Sequence, residues 1–294
     1  MELRQLRYFL VVADELHFGR AAERLHITQP PLTVAVRRLE RDLGVVLFDR
    51  TTRRVSLTHA GQAFKLRVQE ALAELDGAAV DAASVAAGTS GRITVGFVSS
   101  ASYTTIPAAI RNFRQQRPRV ELALNPLTSG EQIEQLLDGR LDLGLIRDPG
   151  EVPGMVMQLV NTEALVAVVP ERHPLASSTE IRPADLEGEP MILFPYRLMP
   201  GFVARVFRLF EGLNVGPHVV QQAIHQETVL GLVAAGLGLS ILPETVNRFQ
   251  MPGVVTRPLS GNPQTALYAA YAANQPAPAV EAFLECLLHL PASD

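Results

Sequence analysis

The stretch that decides the reading of this chain runs from Ala21 to Gly61: AAERLHITQPPLTVAVRRLERDLGVVLFDRTTRRVSLTHAG. Leu32, Val36, Leu39 and Leu43 recur at helical spacing, and Gly44 ends the run. Proline is tolerated in a first helical turn, where the missing N–H has no intrahelical acceptor, and threonine is a preferred cap residue. The pattern therefore predicts a helix capped by Thr28 and ending near Leu43, with Gln29, Thr33, Val34, Arg37, Arg38 and Arg41 turned away from its buried face. Upstream, Leu3, Leu6, Phe9, Leu10 and Ala13 form one apolar stripe, and Arg20 to His26 a second short helix burying Ala21, Ala22 and Leu25. A third helix that opens on short polar groups and carries arginines is what a helix-turn-helix needs to meet base edges and phosphates. Beyond Gly44, Val45–Phe48 and Val55–Leu57 flank an arginine-rich tip, Asp49 to Arg54. This predicts a hairpin wing suited to phosphate or minor-groove contact.

The bulk numbers agree. Two domains are natural for 294 residues, and the net charge of −4 is unevenly spread. Residues 1–60 hold ten Arg against seven Asp and Glu, a net +3, while the remainder sums to −7. A basic excess on one small domain fits a polyanion partner there. The lone cysteine, Cys286, permits no intrachain disulfide and reads as a packed small hydrophobe. The opening MELRQLRYFLVVADELHF mixes charges into its apolar periodicity, unlike a secretory signal, and no uninterrupted apolar stretch is long enough to span a bilayer. The cytoplasm is the expected compartment.

Thr58 to Ala87 predicts one long helix, stopped by Gly88-Thr89-Ser90-Gly91. Phe64, Val68, Ala71, Leu75, Ala78, Ala82 and Val85 alternate steps of four and three, the spacing of a coiled-coil seam, and suggest that two copies pair there. Two-fold operators need two recognition helices about one DNA turn apart, or a multiple of it, which gives such pairing a purpose.

After Gly91 the pattern alternates between β and α: strands at 92–98, 120–124, 141–146, 164–169, 191–194, 219–221, 239–242 and 265–272, helices at 103–116, 130–138, 201–213, 227–235 and 277–290. An open, mostly parallel sheet in two lobes crossed twice by the chain is expected. Ligands in such sheets sit at strand carboxyl ends. The candidates there are Ser99, Ser100 and Thr104 after the first strand, Thr128 at a helix start, Arg147 past a strand end, Phe202 opening the second lobe's long helix, and His225 before another. Hydroxyl-rich helix starts and an arginine suit a carboxylate. Arg147 could equally pair with Asp148 at the surface. No G-x-S-x-G, Walker A or H-E-x-x-H motif is present, and the seven histidines are scattered, so neither catalysis nor a structural zinc is expected.

The run from Ala21 to Gly61 closely resembles the DNA-binding signature of LysR-type transcriptional regulators. The resemblance implies that Gln29, Pro30 and Thr33 sit at the major groove and that Arg53 and Arg54 belong to the wing. Val34 departs from the basic or polar residue that many relatives carry: a valine packs on a thymine methyl but cannot hydrogen-bond guanine. LFPYRLMPGFVARVFRLFEGLNV and ETVLGLVAAGLGLSILP resemble the branch controlling catechol, benzoate and chlorocatechol breakdown, whose effectors are muconate-like diacids or aromatic acids. In that branch Ser99, Thr128 and Phe202 match pocket positions.

The expected architecture is an α+β multidomain chain. It has a winged helix-turn-helix (1–58), a linker and dimerisation helix (59–90) and a two-lobed, periplasmic-binding-protein-like effector domain (91–294). The lobes are expected at 91–162 with 266–294, and at 163–265. Expected partners are a double-stranded DNA operator, a small organic acid, a second copy of the chain in a homodimer or homotetramer, and RNA polymerase. No cofactor, metal or membrane is expected. The competing reading is a solute-binding protein without DNA function, against which stand the Gln29–Thr33 segment and the opening sequence.

Overall fold

In a computed structural model of the chain, residues 1–50, 55–213, 215–273 and 276–289 are described. The chain divides into two compact units, Met1–Ala83 and Ser84–Asp294.

The first unit begins with α1 (Leu3–Glu15), α2 (Phe18–Arg24) and α3 (Gln29–Leu43). Leu32, Val36 and Leu39 of α3 are fully buried, joining Phe9 and Val12 of α1 and Ala21 of α2 in one core. Leu3, expected in the apolar stripe, is half exposed, and Val12 takes its place. The second helix starts two residues earlier than the sequence pattern suggested. His17 extends the chain and accepts the Gly19 and Arg20 N–H groups on Nδ1, capping a turn that Phe18 already occupies. Thr28 stands at the N-cap of α3 with extended backbone, but its hydroxyl makes no capping bond. Gly44 closes α3 in the left-handed region, at φ +70°.

Strands β1 (Phe48–Arg50) and β2 (Val55–Leu57) pair antiparallel, Phe48 opposite Leu57 and Arg50 opposite Val55. The long helix α4 spans His59–Ala86. Gly61 lets it pass close to the hairpin, since a Cβ there would overlap the Leu47 carbonyl. Phe64 meets the Phe9 ring at 5.1 Å and packs on the domain's core, and Val68 is buried within the chain, so the first two members of the expected seam are already covered. Leu75, Val80 and Val85 further along are exposed.

The second unit contains β3 (Ser90–Phe97), α5 (Thr105–Gln116), β4 (Arg119–Pro126), α6 (Ser129–Leu137), β5 (Leu143–Arg147), β6 (Met155–Pro170), β7 (Pro190–Leu193), α7 (Pro200–Arg208), β8 (His218–Gln222), α8 (Gln226–Ala234), β9 (Ser240–Pro243), β10 (Val254–Pro258), β11 (Gln264–Ala272) and α9 (Pro278–Leu288). The main sheet runs β10-β6-β11-β5-β3-β4, with β9 also on β6. Its sense is mixed, which corrects the expectation of a mostly parallel sheet. Only β3 pairs parallel, with β4 and β5, while β6 and β11 run antiparallel to their neighbours. The cause is β6. Its first ten residues pair with β11 and the rest with β9 and β10, so one long strand passes from lobe to lobe and β11 brings the chain back beside it. Strands β7 and β8 form a separate parallel pair in the second lobe. Helix α5 packs on α9 through Phe113 and Phe283, rings 5.2 Å apart. Cys286 of α9 is buried, which pushes its thiol pKa up.

Helix α7 ends at Arg208 rather than near Leu213. The N–H groups of Leu209, Phe210, Glu211 and Leu213 bond three residues back instead of four, and Gly212 takes φ +86°.

Candidate functional site

Two surfaces carry chemistry. The first is the solvent face of α3. Gln29 and Pro30 are exposed, as are Arg37, Arg38 and Arg41, and Val34 is 63% exposed. Thr33 is half-buried, and its hydroxyl donates to the Gln29 carbonyl at 3.0 Å. The acids of this helix are spent inside the domain. Glu40 accepts from the Leu47 and Phe48 N–H groups and from Arg50 Nη2 at 2.6 Å, and Arg50 stacks over the Phe18 ring. Asp42 pairs with the N-terminal amine at 3.1 Å. Arg38 lies 3.9 Å from Glu2, an exposed contact worth little in water. What remains outward is an amide, a valine and three guanidinium groups. Arg53 and Arg54 lie outside the described residues.

The second surface is a cleft of about 270 Å³ in the Ser84–Asp294 unit. Ser99, Ser100, Thr128, Arg147 and His225 all line it, so the structure brings together five of the seven residues singled out in the sequence. Ser99 opens a short 3-10 helix, Ser99–Tyr103, directly after β3. Thr104 lies behind that helix, its hydroxyl on the Ser100 carbonyl at 3.2 Å. Phe202 is 1% exposed and packs edge-on against Phe194 in the second lobe's core. Neither lines the cleft.

Arg147 is the cleft's buried cation, 2% exposed. Its Nη2 donates to Glu163 at 2.6 Å and Ser100 at 2.9 Å, and Nη1 reaches Thr265 at 3.4 Å. The surface pair with Asp148 does not form. Asp148 instead accepts from Thr265 and from the Ala266 N–H, with Arg205 Nε 2.9 Å away but pointing off the oxygen. Sequence could not offer Glu163, which stands 16 residues away in mid-strand β6. Its second oxygen accepts from the N–H and hydroxyl of Thr245. The network leaves Arg147 Nε buried without a hydrogen-bond partner, and the same holds for Gln226 Oε1, a 3%-exposed neighbour that also lines the cleft.

Thr128 is less free than its position suggests. Its hydroxyl donates to Glu131 Oε2 at 2.7 Å, and its N–H does so at 2.9 Å, in a capping box. These bonds hold the Glu131 carboxyl below its ordinary range. Outside the cleft lining, the Tyr103 hydroxyl donates to Glu227 at 2.6 Å, its carbonyl accepts from Arg248, and its ring meets Phe249 at 4.6 Å. The first lobe is thereby latched to the second. The phenol pKa rises because Glu227 takes its proton in a hydrogen bond.

A helix-turn-helix with a basic outward face, followed in the chain by a two-lobed cleft with a buried cation, defines a ligand-responsive DNA-binding regulator. Residues 3–62 match the family described as bacterial regulatory helix-turn-helix protein, lysR family, and residues 86–291 match the LysR substrate binding domain. The chain belongs to the LysR family. It is 36% identical to the HTH-type transcriptional regulator AlsR of Bacillus subtilis, across 84% of this chain and 82% of that one. It is 37% identical to the Hca operon transcriptional activator HcaR of Escherichia coli, across 97% and 96%. The crystal structure of full-length CbnR complexed with target DNA superposes with a TM-score of 0.77 at 29% identity, covering 98% of both chains. Regulators of the catechol, benzoate and chlorocatechol branch are among its homologues. The protein is thus a DNA-binding transcriptional regulator that responds to a small-molecule effector, in a family of regulators and not enzymes, for which oligomerisation is typical. Among the described residues no helix is long and apolar enough to cross a membrane.

Proposed function

We propose that this regulator binds a two-fold operator through Gln29, Pro30, Thr33, Val34, Arg37 and Arg38 of α3, with Thr28 at the helix start and Arg53 and Arg54 of the wing on phosphate. In the cytoplasm a small organic acid then shifts its arrangement on DNA. The acid's carboxylate sits on Arg147, between Ser99 and Ser100 on one lobe and His225 on the other, with Thr128 at the edge and Thr104 and Phe202 supporting from behind. Two or four copies act together, held in part by the exposed Leu75–Val85 portion of α4, and RNA polymerase reads the outcome. An effector acts only by favouring one arrangement over another, so its contacts must differ between them.

The observation that carries the effector reading is Arg147: a buried guanidinium lining a cleft, with Nε unpartnered. A buried donor left unmade costs about 1–3 kcal/mol, and an incoming carboxylate removes that cost. Gln226 lines the same cleft, and its unpartnered Oε1 acceptor favours an acid that also carries a hydroxyl or amine.

Calorimetric titration of the full-length chain with a panel of aromatic and dicarboxylic acids, benzoate and cis,cis-muconate among them, tests this. At least one acid binds, and Arg147→Gln weakens it about tenfold or more, as loss of a charge-assisted bond of about 1.5–3 kcal/mol requires. Equal affinity in the variant removes the carboxylate from Arg147.

A further inference from the structure

Val34 lies on α3 almost opposite the buried stripe of Leu32, Val36 and Leu39, at the centre of the face turned outward. It is the exposed large apolar residue of that helix. A β-branched residue is a poorer helix former than alanine, arginine or lysine, and at 63% exposure Val34 gains little from the domain's own core. Its surroundings point to a polyanion. Arg37 and Arg41 lie along the same groove, lined further by Val45 and Val46, and the one acid there, Glu40, is occupied by Arg50 and two backbone N–H groups. The neighbouring Thr33 gives its proton to the Gln29 carbonyl, which leaves its hydroxyl to act only as an acceptor. The middle of the recognition face therefore offers an apolar surface, framed by cations, where a base edge must lie.

In the major groove a single apolar feature is available at a base edge: the 5-methyl group of thymine. We infer that Val34 reads that methyl, and that it selects the methyl itself rather than the base. This inference rests on the proposed docking of α3 in the operator. One consequence separates it from hydrogen-bond readout. Cytosine carrying a 5-methyl group presents the same apolar bump, and Val34 has no polar atom with which to sense the exchanged amino and carbonyl groups beside it. The operator position facing Val34 accepts thymine and 5-methylcytosine, and disfavours deoxyuridine and cytosine.

The test begins with the full-length wild type and V34R, each used to enrich duplexes from a randomised pool. Val34→Arg moves the enriched base at one position per half-site from thymine to guanine, since arginine is bidentate to guanine O6 and N7. At that position four duplexes are compared by anisotropy, bearing thymine, deoxyuridine, cytosine or 5-methylcytosine. Burying one methyl predicts about fourfold tighter wild-type binding for each methylated base over its unmethylated partner, and a smaller difference with V34A. Equal binding to all four, or the same methyl preference in V34A, overturns the inference while leaving operator reading intact. Enrichment of no sequence by the wild type overturns the docking of α3 and this inference with it.

Discussion

Arg147 donates to Glu163 at 2.6 Å, tying the end of β5 to the middle of the strand that passes between the lobes. The guanidinium is almost fully buried and the carboxylate half-buried. The other Glu163 oxygen holds the Thr245 N–H at 2.9 Å, so one carboxylate joins elements of both lobes beneath the cleft. Removing one partner of a buried pair strands the other charge, at about 3–5 kcal/mol. Glu163→Leu is therefore expected to destabilise the chain by that amount in urea denaturation. The double variant with Arg147→Met should recover most of the loss. A single-variant cost below about 1 kcal/mol, the range of surface pairs, would show that the pair is solvated.

Thr128→Val removes the hydroxyl's bonds in the α6 capping box and leaves the backbone N–H of residue 128 on Glu131, at about 0.5–2 kcal/mol. The loss depends on pH. The hydroxyl of Thr128 holds the Glu131 carboxyl pKa down, so the folded value lies below the unfolded one. The stabilisation is full above the ordinary glutamate pKa and fades as pH falls through the lower folded value. The gap between wild type and variant in urea midpoint should narrow between about pH 7 and about pH 3.5. A gap that widens on acidification would contradict the hydrogen bond. The variant should also weaken effector binding, because Thr128 lines the cleft.

Gly201 is forced by close packing. A Cβ there would overlap the carbonyl oxygen of Asp148, whose own φ of +44° turns that carbonyl toward α7. Gly201→Ala should cost about 1–3 kcal/mol, as overpacking does, despite alanine's better helix propensity. Thermal unfolding checks the sign: an unchanged or raised midpoint would mean that Asp148 and α7 part easily.

On the DNA side, Gln29→Ala should cost about 1–3 kcal/mol on the operator and little on random duplex, because an amide reads a base edge. Arg37→Ala should weaken both about equally and reduce the dependence on salt, because a phosphate contact releases a counterion. Competition binding at two salt concentrations separates the two residues. Equal losses on both duplexes for Gln29→Ala would take it off the base edge.

The legible parts of this fold are those whose signals are local. The α3 stripe of Leu32, Val36 and Leu39 is written in helical periodicity, and the cluster Ser99, Ser100, Thr128, Arg147 and His225 follows from the rule that strand ends bind ligands. Where the expectations departed, tertiary partners decided. Strand β10 and the first half of β6 were absent from the expected elements because their half-buried and exposed positions follow no period-two alternation, which leaves no strand signal to read. The sheet's mixed sense came from β6 passing through both lobes, which no single segment records. Glu163, Thr245 and Gln226 are ordinary residues in sequence, and become part of the cleft only when long-range folding sets them around Arg147. Phe202 looked like a ligand cover at a helix start, but Phe194 claims its ring. Phe64 and Val68 fit a dimer seam by spacing, yet the Phe9 core takes Phe64 and Val68 is already buried within the chain.

The most direct test of the central claim is anisotropy of the full-length chain on a library-enriched duplex and on a scrambled one, titrated at rising salt. The enriched duplex should bind about 10³-fold tighter or more at physiological salt, with affinity for both falling as salt rises. Indistinguishable affinity for the two duplexes at every salt concentration would mean that α3 reads no sequence.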